Sequence, residues 1–248
     1  MSDDQTWVLG LHAVKSALQR KDGAEELLVD SKRQDGRIKE ILELAETAGI
    51  PCQRIPGRVL DERVHGEKHQ GVALRVRQRQ TQDEPYLKAL LKRLEKQPFL
   101  LILDGVQDPH NLGACLRSAD GAGVDAIVAP RDRSVALTAT VRKVASGAAE
   151  TVPFIQVSNL ARTLKWLKAE GVWLIGTAGE ATQTLYEIDL CGALAIVMGG
   201  EGKGLRRLTR EQCDLLVKLP MAGSVESLNV SVACGISLYE AVRQRGNV

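Results

Sequence analysis

Apolar and polar positions follow two periods along this chain, and the switches between them mark its elements. Thr6–Leu9 alternates as a strand does, and His12–Arg20 carries its apolar residues at helical spacing. Glu26–Asp30 reads as a strand. Arg37–Ala48 reads as a helix with Ile38, Ile41, Leu42 and Ala45 on one face, closed by Gly49. Cys52–Ile55 is a strand, Val59–Val64 a short helix and Gly71–Val76 a last alternating strand. Strands interleaved with helices predict a small α/β domain over residues 1–76. It holds no phosphate-loop pattern, so it reads as a binding module. The polar stretch His65–Gln70 is either a ligand contact or a solvated turn.

Residues 77–97 break the rhythm: a polar linker, then from Pro85 a short helix with Leu87, Leu90, Leu91 and Leu94 inward and Lys88, Lys92, Arg93 and Lys96 outward. From Pro98 a longer α/β domain runs to Val248. Its first run, Pro98–Asp104, is apolar throughout, as a strand covered on both faces is. Strands are also expected at Ala126–Pro130, Phe154–Val157, Val172–Thr177, Leu194–Met198 and Leu215–Leu219, and helices at Asn111–Ala122, Thr138–Ala149, Asn159–Glu170 and Leu205–Gln212. A terminal helix shows an apolar stripe of Leu228, Val232, Ile236, Tyr239 and Val242, with Ser227, Asn229 and Ser231 in its first turn. The alternation predicts a mainly parallel sheet, whose ligands sit beyond the carboxyl ends of the strands.

Composition narrows the classes. At 44% hydrophobic and 26% charged residues the chain can build a real core, and no run approaches a membrane span. The start, MSDDQTWVLG, lacks a basic-then-apolar signal, so a cytoplasmic protein without membrane association is expected. Cys52, Cys115, Cys191, Cys213 and Cys234 form no CxxC pair, and only His65 and His69 lie close, so neither disulfides nor a metal site is expected. The net charge of +2 hides a basic excess in the connector, where Arg77, Arg79, Lys88, Lys92, Arg93 and Lys96 face Asp83, Glu84 and Glu95. A local basic face of this kind can follow a phosphate backbone, and a solvated helix face explains it as well.

Three polar clusters close strands of the second domain. In Asp104–Gly123, Asn111 stands where a helix N-cap is expected, and Arg117 lies on a helix of small and apolar residues, where it should be partly buried and want an anion. In Leu194–Arg207 a buried strand runs into four glycines around Glu201; GTAGE, Gly176–Glu180, closes another strand similarly. The glycine loop matches neither a P-loop nor a dinucleotide fingerprint. The third cluster is Lys218–Val242. Converging, the three would form one site, with Leu219, Met221 and Leu228 as an apolar floor suited to an adenine ring.

Taken together, N-x-G-x-x-x-R (Asn111, Gly113, Arg117), V-M-G-G-E-G-x-G (Val197–Gly204) and P-M-x(5)-S-L-N-V-S-V-A (Pro220–Ala233) resemble the three motifs of the SpoU (TrmH-like) branch of the SPOUT RNA methyltransferases. The whole chain, N-terminal domain included, is similar to members that methylate the ribose of a guanosine in 23S rRNA, at the peptidyl-transferase-centre loop. The resemblance implies a C-terminal domain with a deep trefoil knot, an N-terminal domain like kink-turn-binding ribosomal proteins, and a homodimer with its site near the interface. It implies S-adenosyl-L-methionine held by Gly199, Leu219 and Leu228 and lined by Thr177, Gly179 and Met221. It implies a catalytic group of Asn111, Arg117, Glu201, Ser227 and Asn229, and 23S rRNA or a ribosome-assembly intermediate as partner.

In the family the motif arginine is cast as general base. A guanidinium pKa above about 12 favours instead a role in holding phosphate or stabilising the developing alkoxide. Glu201 could orient Arg117 or take the proton, and Ser227 and Asn229 would position the ribose. A tRNA ribose methyltransferase and a non-enzymatic RNA-binding assembly factor are the alternatives. An oxidoreductase is disfavoured because no GxGxxG follows the first strand of either domain.

Overall fold

The computed structural model describes residues 5–20, 23–77 and 80–246. The leader expectation on Met1–Asp4, and Gln78 and Arg79 of the expected linker, fall outside the described residues. The chain divides into two units, Met1–Gln80 and Thr81–Val248.

The first unit runs β1 (Gln5–Leu9), α1 (Leu11–Arg20), β2 (Ala24–Asp30), α2 (Gly36–Thr47), β3 (Cys52–Ile55), α3 (Gly57–Arg63) and β4 (Val72–Arg77). Its sheet order is β1-β4-β2-β3; β4 is antiparallel to both neighbours and β2 parallel to β3. The period of two along β2 sorts the core. Leu27 and Val29 pack with Val14, Leu18, Ile38 and Ile41 of α1 and α2, while Leu28 packs with Leu60 of α3 on the other face. In the loop His65–Gln70 two residues, His69 and Gln70, serve the fold: Gly71 N donates to His69 Nδ1 at 3.0 Å, leaving Nε2 to donate to Asp61 Oδ1 at 2.8 Å. The Arg33 guanidinium donates to the Gln70 carbonyl at 2.6 Å, and Leu11 N to the Gln70 side chain at 3.1 Å.

The second unit runs α4 (Glu84–Arg93), β5 (Phe99–Asp104), α5 (Pro109–Gly121), β6 (Ala126–Pro130), α6 (Ala139–Ala145), β7 (Phe154–Val157), α7 (Leu160–Ala169), β8 (Trp173–Thr177), β9 (Gln183–Thr184), β10 (Leu194–Gly199), α8 (Arg207–Gln212), β11 (Leu215–Lys218) and α9 (Val230–Gln244). All its strands pair in parallel, in the order β7-β6-β5-β10-β8-β11-β9. The chain thus builds outward from β5 to β7 and then crosses back beyond β5, so a crevice opens at the carboxyl ends of β5, β10, β8 and β11. β5 is buried along its whole length and alternates between two cores. Leu101 and Leu103 pack with α5 and α9, through Leu112, Leu116, Cys234 and Leu238. Leu100 and Ile102 pack with α4 and α7, through Leu87, Leu90, Leu164 and Leu167. Of the basic residues expected on this helix face, Lys88 pairs with Glu84 at 2.9 Å, and Lys96, beyond the helix, with Asp125 at 2.7 Å.

Five expectations are corrected. The helix expected over Thr138–Ala149 ends at Ala145, because Ser146 (φ 52°) and Gly147 (φ 94°) turn left-handed before a 3-10 turn at Ala148–Glu150. An ion pair between Arg142 and Glu150 spans the break. In α9 the stripe is rotated: Val232 and Tyr239 are 50% and 52% exposed, and Val230, Cys234, Leu238, Ala241 and Val242 form the buried face. Small residues at 233, 234, 237 and 241 let α5 approach, so side-chain size marks the contact face better than hydrophobicity does. Ser227 precedes this helix, whose cap is Asn229. Asn111 is no cap either: Asp108 caps α5 by accepting from His110 N, Pro109 fills the first turn, and Asn111 sits inside it. Arg117, expected partly buried, is exposed. The short strand β9 and the turn after it, closed by a Thr184–Glu187 capping box, were not expected from the pattern.

Gly113 faces α6 so closely that a Cβ there would lie 2.6 Å from Val144 Cβ and 2.9 Å from the Val141 carbonyl. Replacing an exposed helical glycine by alanine stabilises; here Gly113→Ala should cost about 1–3 kcal/mol through overpacking. A urea-unfolding midpoint lowered accordingly is expected, and a raised one would contradict the packing described.

Candidate active site

The site begins where β5 ends. Asp104 and Gly199 are level across the β5–β10 pair, and the Asp104 side chain is fully buried there. A buried carboxylate needs partners. Arg206 supplies them, its backbone N donating to Oδ2 at 2.9 Å and its Nε to Oδ1 at 2.5 Å. The segment between, Gly199–Leu205, is thereby folded back on itself. Gly200 N donates to the Asp104 carbonyl at 2.9 Å and Gly204 N to the Gly200 carbonyl at 3.1 Å. A Cβ on Gly199 would lie 2.1 Å from the backbone carbon of Gly204, and one on Gly200 2.4 Å from the Gly105 carbonyl oxygen. The glycines at these two places are therefore demanded by close main-chain approach. Asp104 was missed in sequence reasoning, because an aspartate before a glycine at a strand end also reads as an ordinary turn former.

The folded-back loop carries Glu201 over α5. Asn111 Nδ2 donates a short hydrogen bond to Glu201 Oε1, and Asn229 Nδ2 donates to Asn111 Oδ1 at 3.0 Å. Asn229 Oδ1 in turn accepts from Ser231 N at 2.8 Å and Ser231 Oγ at 2.7 Å. The direction of this chain follows from its end: an ionised carboxylate only accepts, so Asn111 must present its NH2 to Glu201 and its oxygen to Asn229. Three separate segments, the outer two 118 residues apart in sequence, thus meet in one polar line, with Asn111 buried at its centre.

Beside the line lies a cavity of about 680 Å³ bounded by the loops after β8, β10 and β11. Thr177, Gly179, Gly199, Leu219, Met221 and Leu228, the six residues expected to hold a cofactor, all border it, as do Glu201, Ser227 and Asn229. Val217, Leu219, Met221, Leu228 and Ala233 provide apolar surface, and the glycine loop offers main-chain groups opposite. The volume falls within the range of small-molecule sites. At the rim Arg210 donates to Glu180 and holds that carboxyl below the usual carboxylate range. Behind the cavity burial, with Asp214 adding to it, pushes the Cys213 thiol up to about 12, so it stays neutral. Arg117 is not among the residues that border the cavity; it stands on the exposed side of α5, its side chain without a hydrogen bond or ion pair among the described residues. Among the described residues no His/Cys/Asp/Glu group could hold a metal, and no helix is long and apolar enough to cross a membrane.

Comparison with known proteins places this geometry. The profile of the SpoU rRNA Methylase family matches residues 98–239, and that of the RNA 2'-O ribose methyltransferase substrate-binding domain matches residues 7–82. The 23S rRNA (guanosine-2'-O-)-methyltransferase RlmB of Vibrio cholerae is 55% identical over 240 residues, 96% of each chain. RlmB of Escherichia coli K12 is 54% identical over 239 residues, 96% of this chain and 98% of that one. Among solved structures, an RNA 2'-O ribose methyltransferase superposes with a TM-score of 0.72 at 27% identity, covering 97% of this chain and 89% of its own. The SpoU methyltransferase AviRb of Streptomyces viridochromogenes, in complex with AdoMet, superposes with a TM-score of 0.72 at 22% identity over 99% and 92% of the two chains, which speaks to the fold. A methyltransferase-type pocket, the three motifs and near-full-length likeness agree: the chain belongs to the SpoU rRNA methylase family.

Proposed function

We propose that the protein transfers a methyl group from S-adenosyl-L-methionine to the ribose 2'-hydroxyl of a guanosine in 23S rRNA. The observation that carries this reading is the hydrogen-bonded line Asn229–Asn111–Glu201 at the mouth of the β8–β10–β11 cavity. Likeness to the RlmB enzymes over nearly the whole chain supports the guanosine of 23S rRNA as target. An rRNA target, free or in an assembly intermediate, supports a cytoplasmic location. Residues 1–76 act as the RNA-holding module and 98–248 as the transferase; of the connector 77–97, α4 packs into the transferase core. The return of the chain at Gly204 against Gly199, and β10 set between β5 and β8, support a trefoil-knotted threading.

The cavity fits the cofactor. Its apolar floor of Leu219, Met221 and Leu228 suits a purine face, and Gly179, where an added Cβ would meet nothing within 4 Å, leaves main chain open to polar edges. The bound cofactor supplies an activated methyl group on a sulfonium. The protein supplies alignment, which can contribute on the order of 7–11 kcal/mol, and a place for the proton. Glu201 is held by Asn111 through one oxygen, and its remaining lone pairs accept the ribose hydroxyl proton. Ser227 and Asn229 position the ribose at the cavity edge.

Arg117 enters from a second copy of the chain. Val232 and Tyr239 leave an apolar face on α9, whose Tyr239 hydroxyl closes on Gly121 of α5, the helix that also carries exposed Arg117. A homodimer covering this face brings the guanidinium of one protomer to the cavity of the other, where its charge steadies a phosphate or the developing alkoxide.

Incubation with labelled S-adenosylmethionine and 23S rRNA, followed by mapping of the 2'-O-methyl mark, should place label on one guanosine. Label confined to tRNA, or none with cofactor bound, would contradict the assignment. Glu201→Gln should lower kcat by roughly a hundredfold or more with the fold unchanged by circular dichroism, and near-normal kcat would remove Glu201 from proton transfer. Mixing inactive Arg117→Ala and Asn111→Ala protomers under conditions of subunit exchange should restore roughly a quarter of wild-type activity, one working site in half of the dimers. No restoration would mean that Arg117 serves its own chain.

A further inference from the structure

We propose that Arg131 and Arg133, on the loop between β6 and α6, form a cationic shelf that holds backbone phosphates of the RNA flanking the target ribose. This rests on the RNA-methyltransferase reading above and adds to it the residues that grip the strand beside the reacting nucleotide.

The loop leaves the sheet at the same edge as the catalytic loops. Ile102 pairs with Val128 and Asp104 with Gly199, which sets Pro130, Asp104 and Gly199 level across the adjacent strands β6, β5 and β10. Two strand spacings put Arg131 on the order of 10 Å from Gly200, across the β5–α5 turn. That turn ties the three loops together: Val135 N donates to the Val106 carbonyl at 3.1 Å, and a Cβ on Gly105 would lie 3.9 Å from the Arg133 carbonyl oxygen and one on Gly200 2.4 Å from that of Gly105. Arg131 is fixed from the other side, its N donating to the Val157 carbonyl at 2.8 Å. Arg133 is held at a φ of 59°, a conformation a bulky side chain adopts only where its surroundings impose it.

The charges of this shelf are unspent. Elsewhere in the unit arginines are committed: Arg142 to Glu150, Arg162 to Glu84, Arg206 to Asp104, Arg207 to Glu211, Arg210 to Glu180 and Arg243 to Glu240. Arg93 lies over Tyr86, and Arg245 over Phe99. Among the arginines of the unit, only Arg117, Arg131 and Arg133 have no side-chain hydrogen bond or ion pair among the described residues, and all three are exposed. Asp132 between the two is exposed as well and takes neither guanidinium in an ion pair. Arginine left without an acid, on a loop fixed at both ends and beside a site that must hold one nucleotide of a polyanion, matches the fork geometry that phosphate contacts use.

The test measures binding of an rRNA fragment containing the target loop as a function of salt, for the wild type, Arg131→Ala, Arg133→Ala, the double variant, Arg131→Lys with Arg133→Lys, and Lys96→Ala. Lys96 is a control of equal charge, paired to Asp125 at the amino ends of β5 and β6, away from the catalytic loops. Each alanine should reduce the slope of log K against log salt by roughly 0.7–0.9, and the double variant by about twice that. Cofactor affinity by calorimetry should be unchanged, the lysine variant should keep the slope, and Lys96→Ala should leave it alone. An unchanged slope in the double variant, or an equal loss in Lys96→Ala, overturns the shelf. If the wild type binds the fragment but never methylates it, the transferase reading fails separately, because the slopes are read from binding alone.

Discussion

Two main-chain crossings closer than any β-carbon would permit set the architecture of this protein: Gly199 against Gly204, and Gly200 against Gly105. Because side chains are absent there, the chain leaving β10 can double back along the end of β5 instead of continuing outward. The reversal is then locked by Asp104, whose buried carboxylate is satisfied by the backbone and guanidinium of Arg206 beyond the loop. Removing that partner would strand a charge in the core, the costly half of a buried ion pair. Everything functional in the second unit hangs on this fold-back: the tip places Glu201, the inner wall borders the cavity, and the far end starts α8.

The fold-back alone makes a cavity; the hydrogen-bonded asparagines make it specific. Asn111 is buried, so its amide must be matched, and both its ends are: carboxylate on one side, Asn229 on the other. Hydrogen bonds to charged groups are worth about 1.5–3 kcal/mol each, while an unmatched buried amide costs a comparable amount. The arrangement therefore ties the start of α5, the glycine loop and the cap of α9 to a single geometry. That is what a methyl acceptor needs, since alignment can contribute on the order of 7–11 kcal/mol to a reaction of this kind.

Much of this was legible in residue order. Buried strands such as Pro98–Asp104 announce themselves as apolar runs, and glycine around Glu201 signals close approach whatever the ligand. The three motifs then point to a family, which periodicity alone could not. What was misread has local causes. Asn111 looked like a cap because asparagine usually is one before a helix; Asp108 and Pro109 outrank it and leave it free to be buried. The apolar stripe of α9 pointed outward because its inner face is built of small residues, Ala233, Cys234, Ser237 and Ala241, that hydrophobicity underrates. Ser146 and Gly147 stop α6 within a stretch of good helical period, and only the left-handed turn reveals it. Arg117 was expected partly buried near the loop and is exposed on α5, outside the cavity.

Calorimetric titration of S-adenosylmethionine into the protein and its Gly199→Ala variant, with circular dichroism as a check on folding, addresses the central claim most directly. If cofactor binding depends on the glycine fold-back, the wild type binds saturably and the folded variant loses roughly a hundredfold or more in affinity, about 2.7 kcal/mol. Wild-type affinity in the variant would contradict the account.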